Sequence, residues 1–301
     1  MNAEILGTTC DKVGESPIWS DAEQVLYWVD IEGRCIRRFQ PESGKVISWD
    51  SPERVGCIVL RQGGGLVAAM ESGVFAVDLR NALSPSYLGI STVEHPGSNM
   101  RFNDGACDRR GRFWTGTMCM NSEPPPIGRL YLFMNDELND ASIDGLVTQN
   151  GLAFSPDGRT MYLSDSHPSV QKIWAFDYDQ DDGRPHDRRE FVDMKNFPGR
   201  PDGAAIDTDG CYWICGNDAG LIHRFTPAGR LDRSIEVPVS KPSKCAFGGA
   251  RLDTLFVTSI LPANPTATEK ALGGAMFALN PGISGVAEPG YAAYGYSEYG
   301  K

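Results

Sequence analysis

Apolar positions in this chain come in short runs, among them VLYWVD (25–30), LVAAM (66–70), FWTGTM (113–118), MYLSD (161–165) and YWICG (212–216), with Gly, Pro, Asp or Asn close by on either side. Runs of this length, with alternating patterns and turn residues on both sides, predict β-strands. Helical periodicity is almost absent. Six segments share one order: a turn with a small residue, a short apolar strand, a tight polar turn and a second strand rich in aromatics. They are GESPIWSDAEQVLYWVD from Gly14, GCIVLRQGGGLVAAM from Gly56, NDGACDRRGRFWTGTM from Asn103, NGLAFSPDGRTMYLSDS from Asn150, PDGAAIDTDGCYWICG from Pro201 and SKCAFGGARLDTLFVTS from Ser243.

The small anchor residues Ser16, Cys57, Gly105, Gly151, Gly203 and Cys245 recur every 41 to 52 residues. Each unit continues into a third and often a fourth strand pattern, as in GRCIRRFQPESG and QKIWAFDYD. Four short strands at that period are the mark of a propeller blade. The chain therefore reads as all-β: a six-bladed β-propeller of four-stranded antiparallel blades around a central channel, one domain over 1–301. The stretch AEILGTT (3–9) is expected to pair as the outer strand of the last blade and close the ring.

The first strand of a blade lines the channel, so residues at one register form a ring. The residues just before the anchors are Glu15, Gly56, Asp104, Asn150, Asp202 and Lys244. Taken alone, an Asp-Gly or Asn-Gly pair is an ordinary turn former. The shared register argues for more, because it gathers Glu15, Asn150 and Asp202 around one axis. Two carboxylates and a carboxamide at close quarters call for a neutralising cation, and all-oxygen donors suit a hard divalent ion. Three protein ligands leave positions open for water and substrate. Asp104, in the same ring, reads as a supporting acceptor, with direct ligation and a plain turn role as alternatives.

Composition narrows the partners. The chain has 301 residues, of which 41% are hydrophobic, with a formal net charge of -11. It carries no basic run, which argues against nucleic acid. No apolar stretch is long enough for a spanning helix and the amino terminus lacks a secretory pattern, so no membrane partner and a cytoplasmic location are expected. The eight cysteines are scattered without paired CxxC spacing and read as reduced packing residues. Cys211 and Cys215, four residues apart on one strand, would lie roughly 13 Å from each other, too far for a disulfide.

The motifs GESPIW (14–19), RFNDG (101–105), GRFWTGTM (111–118), NGLAFSPDG (150–158), RPDGAAID (200–207) and CAFGG (245–249) resemble, in order and over about residues 10 to 290, the regucalcin and gluconolactonase-like family. Members are six-bladed propellers that bind one divalent metal and hydrolyse sugar lactones. The resemblance implies Glu15, Asn150 and Asp202 as metal ligands, the three that the repeat register selects, and Arg101 and Asn103 as substrate contacts. Asn121 stands where regucalcin-like members carry an acidic residue, which makes the chain more similar to bacterial sugar lactonases. The implied activity is a metal-dependent lactonase opening an aldonolactone to the aldonic acid, with Asp202 as general base. Ca²⁺ is the foremost ion, with Zn²⁺, Mn²⁺, Mg²⁺ or Fe²⁺ also accommodated. The expected partner is a small sugar lactone, and the expected state a monomer or weak oligomer. The alternatives are a non-catalytic calcium-binding or scaffold propeller, or a hydrolase of other esters or phosphotriesters.

Other patterns are set aside. DYDQDDGRPHDR (177–188) imitates a calcium loop but has Asp182 where Gly is needed and Arg188 where Glu is needed, so it reads as a solvated hairpin. Asp165 and His167 read as strand-end turn residues. No HExxH, GxSxG, P-loop or GxGxxG pattern is present.

Overall fold

The first two strands of each repeat carry apolar or small residues at nearly every position, which demands cover on both faces. A ring of blades supplies it, because every sheet packs on two neighbours. In the computed structural model of the protein, described here for residues 3–7, 9–79 and 85–292, six four-stranded antiparallel sheets form a six-bladed propeller. Blade 1 runs Gly14–Ser20, Val25–Asp30, Cys35–Gln40 and Lys45–Asp50. The innermost strands of blades 2 to 6 are Val55–Leu60, Met100–Cys107, Gln149–Phe154, Arg200–Ile206 and Pro242–Gly248, and each touches the innermost strand of the blade on either side. The repeat thus delivers the fold expected of it.

Burial falls from the axis outward. Gly14–Ser20 and Val25–Asp30 are buried at every residue, whereas Lys45–Asp50 is mostly exposed. The outer strand Glu137–Leu146 is likewise exposed or half-buried at all but its last residue. Trp28, Trp114 and Trp213, all on second strands, are wholly buried, and each indole N–H is satisfied, by Asp11 at 2.8 Å, the Tyr178 hydroxyl at 3.0 Å and Asp207 at 2.7 Å. The polar turn of the repeat has a mechanism as well. Asp108 Oδ1 accepts from the backbone N–H of Arg110 and Arg112, and Asp207 Oδ1 accepts from those of Asp209 and Cys211. A carboxylate placed two residues before the bend replaces the missing ladder bonds.

The ring closes as predicted: Glu4–Leu6 pairs antiparallel with Met276–Leu279, so the start of the chain completes the sheet begun by Pro242–Gly248. A second closure was not predicted. After the last blade, residues 281–292 cross the end of the propeller where the innermost strands finish. Val286 N–H donates to Ile206 O at 3.3 Å, Tyr291 N–H to Leu60 O at 2.7 Å and Ala292 N–H to Gly111 O at 2.8 Å. Tyr291 is buried against Phe133, with 5.0 Å between ring centroids. Beneath this strap lies a small cavity of about 30 Å³, lined by Ile58, Ala106, Ala153, Ala205, Phe247 and Val286 among others. It has room for about one water molecule. The strap thus covers this end of the channel.

All eight cysteines are free, seven of them buried. No described helix is long and apolar enough to cross a membrane.

Candidate active site and metal centre

One local irregularity builds the site. Every innermost strand breaks register with its neighbour at the ring position: between Glu15 and Ile18, Val55 and Cys57, Phe102 and Gly105, Asn150 and Ala153, Pro201 and Ala204, and Pro242 and Cys245. A bulge re-aims the side chains beside it. Repeated six times around an axis, it turns Glu15, Asp104, Asn150, Asp202 and Lys244 toward the channel. The Asp-Gly and Asn-Gly pairs thus lie within strands and are not hairpin turns. Their glycines differ in purpose. Gly151 has φ +61°, but Gly203 is not left-handed; a Cβ there would lie 2.3 Å from Cβ and Cγ of Lys244. Gly203 serves close approach between neighbouring strands.

Glu15, Asn150 and Asp202 are 9%, 4% and 7% exposed. Burial, then the charges of Asp202 and Asp104, push the Glu15 carboxyl well above its ordinary range, with Lys244 opposing. Burial raises the Asp202 carboxyl to about 7 against the pull of Arg200 and of the bond from Asn217. Each uses one oxygen in a described bond: Glu15 Oε2 accepts from Ser16 N–H at 2.9 Å and Asp202 Oδ2 from Asn217 Nδ2 at 2.7 Å. Two acids that burial holds toward the neutral form, each with oxygen capacity to spare, are the donor set a hard divalent ion requires. The residues fit such an ion.

A hydrogen-bonded chain runs from Arg101 through Asn150 to the backbone beside Asp202. Arg101 donates to Asn103 Oδ1 at 2.5 Å and to Phe102 O at 2.8 Å, and Asn103 Nδ2 reaches Gln149 O at 2.6 Å and Asn150 Oδ1 at 3.1 Å. Asn150 Nδ2 donates to Ser166 Oγ at 2.7 Å, whose hydroxyl donates to Pro201 O at 2.5 Å, next to Asp202. Arg101 is 8% exposed, and its Nε is buried without a partner among the described residues. Burial lowers its affinity for a proton, partly offset by Glu15. A buried guanidinium with a spare donor beside the acid ring is suited to grip a ligand oxygen.

The structure thus gathers Glu15, Asn150, Asp202, Arg101 and Asn103 at one end of the channel. Asn121 stands just beyond the second strand of blade 3, at the same end but exposed, where its side chain accepts from Asn99 Nδ2 at 2.9 Å. No described bond ties it to the other five. Sequence reasoning missed Ser166, Asn217 and Gln149. The first two sit at or just past the ends of second strands, and polar residues there are so common that one sequence does not single them out. It also missed the partner of Asp104, whose Oδ1 receives the Lys244 ammonium and whose Oδ2 accepts Leu152 N–H at 2.9 Å. Both oxygens of Asp104 are thus occupied by described partners.

Asp165 caps the backbone N–H of Val147, Thr148 and His167, while His167 Nδ1 pairs with Ser169 Oγ. Residues 177–188 form a hairpin with Asp179 opposite Arg184 and Gly183 at φ +73°.

The structure is thus a six-bladed propeller with acids, amides and a buried arginine gathered at one end of its axis. Residues 13–261 match the family described as the SMP-30/gluconolactonase/LRE-like region, and the chain belongs to that family. It is 38% identical over 285 residues to a 6-deoxy-6-sulfogluconolactonase of Pseudomonas putida, covering 93% of this chain and 95% of that one. Among solved structures it resembles a calcium-binding regucalcin of Agrobacterium tumefaciens (TM-score 0.89, 25% identity, 97% of both chains). A gluconolactonase of Xanthomonas campestris is also similar (TM-score 0.72, 25% identity, 92% of this chain and 88% of that one).

Proposed function

We propose that the protein is a divalent-metal-dependent sugar lactonase that hydrolyses an aldonolactone to the aldonic acid. The observation that carries this reading is the convergence of Glu15, Asn150 and Asp202 with Arg101 and Asn103 at the end of the channel away from the strap, in a chain similar to a sulfogluconolactonase and a gluconolactonase. Glu15, Asn150 and Asp202 would hold the ion, which when bound supplies Lewis-acid polarisation of the lactone carbonyl. Arg101 and Asn103 orient the sugar through its hydroxyls, and Asn121, at the rim, contacts its outer end. Asp202 takes a proton from the attacking water as the water oxygen bonds to the carbonyl carbon. The ring C–O bond then breaks, and the proton passes to the departing ring oxygen, leaving the open hydroxy acid.

The test is hydrolysis of a panel of pentono- and hexonolactones, followed with a pH indicator, with chelator and with Ca²⁺, Mn²⁺, Zn²⁺, Mg²⁺ or Fe²⁺ restored. Turnover that chelation abolishes and Asp202→Ala lowers by about 100-fold or more is expected. A folded protein that opens no lactone above background with any of these ions contradicts the reading and leaves a binding propeller.

A further inference from the structure

Lys244 is the only basic residue at the ring register. It comes from blade 6 and crosses the channel to blade 3, directly opposite in a ring of six. Its ammonium donates to Asp104 Oδ1 and to Gly105 O at 3.1 Å. The side chains of the pair are 8% and 2% exposed, so water screens them little. On the way across, the Lys244 stem lies against Gly203, the neighbour of Asp202, while Asp104 holds the N–H of Leu152, two residues beyond Asn150. The pair spans the channel as the floor of the site, and Lys244 itself lines the small cavity beneath.

The ring contains three carboxylates, Glu15, Asp104 and Asp202, and the electrostatic fields of Asp104 and Lys244 both reach Glu15, with opposite sign. A buried lysine that served only as a strut would need no charge, because a neutral pair could bridge the channel without the desolvation cost of two ions. We propose that Lys244 is a specificity-determining counter-ion: it cancels the charge of Asp104, so that the ring faces its ion with two free carboxylates, the complement of a single divalent cation. This inference rests on the reading of Glu15, Asn150 and Asp202 as metal ligands.

The consequence is that one substitution weakens ion binding and a second, added to it, restores it. Asp104→Asn keeps the shape of the floor but leaves the ammonium uncompensated beside the ion site. Asp104→Asn with Lys244→Met replaces a neutral ion pair with a neutral, similarly shaped pair. Titration calorimetry with Ca²⁺ on the full chain should show at least a tenfold weaker Kd for Asp104→Asn and a return to within about threefold of wild type for the double variant. A double variant as weak as Asp104→Asn, or weaker, means that the pair acts as a strut and overturns the proposal, as does an unaltered Kd in Asp104→Asn. Wild-type protein that binds no divalent ion would instead overturn the ligand assignment itself, so the two failures are distinguishable.

Discussion

Ion binding at this site should release protons, and the amount follows from the buried acids. With Asp202 titrating at about 7 in the ion-free protein, about a tenth of it is ionised at pH 6 and about nine-tenths at pH 8. Only the ionised form is a ligand, so the apparent affinity for a divalent ion rises about tenfold over this interval from Asp202 alone. Glu15, raised well above its ordinary value by burial and by Asp202, adds in the same direction. The sign for stability follows. Both carboxyls titrate near 4 in the unfolded chain and higher in the folded one, so the ion-free fold holds protons more tightly. That contribution is complete below about pH 4 and is lost as pH climbs through 7. The melting temperature of ion-free protein should therefore fall from pH 5 to pH 8, while the gain on adding ion widens. Calorimetry at pH 6 in two buffers of different ionisation enthalpy measures the released protons directly. An affinity flat within twofold from pH 6 to 8, with heats independent of buffer, would refute the argument that burial holds these acids near neutrality.

Two further outcomes are expected. Arg101→Ala should lower kcat/KM by about 10- to 100-fold while the Kd for the ion stays unchanged, since Arg101 touches Asn103 and Phe102 and spares a donor for substrate; measuring both separates ligand grip from metal binding. Tyr291→Ala should destabilise the fold by about 3–5 kcal/mol in urea titration, because it empties a wholly buried site and loses a bond to Asp136 at 3.1 Å. Its activity below the transition should persist, as the strap lies at the far end of the channel.

Much of this architecture is legible in the residues alone. Turn residues and short apolar runs act locally, so their recurrence reports the blades, and a shared register in a closed ring places Glu15, Asn150 and Asp202 together although they are far apart in the chain. The closing strand at Glu4–Leu6 follows from the same count, since the last repeat lacks a fourth strand of its own.

The rest depends on contacts between elements that no local pattern encodes. That Asp202 sits in a strand bulge rather than a turn, and that Gly203 yields space to Lys244 rather than supplying a left-handed bend, follows from how two neighbouring strands pack. The crossing of Lys244 to Asp104 spans half the ring, and the strap at 281–292 bonds to four different blades. Sequence periodicity therefore determined the blades and their common axis, because each blade is built from neighbours along the chain. Charge balance on that axis and the closure of its far end were decided only in three dimensions, where side chains from opposite blades meet in a space that excludes water and must satisfy one another.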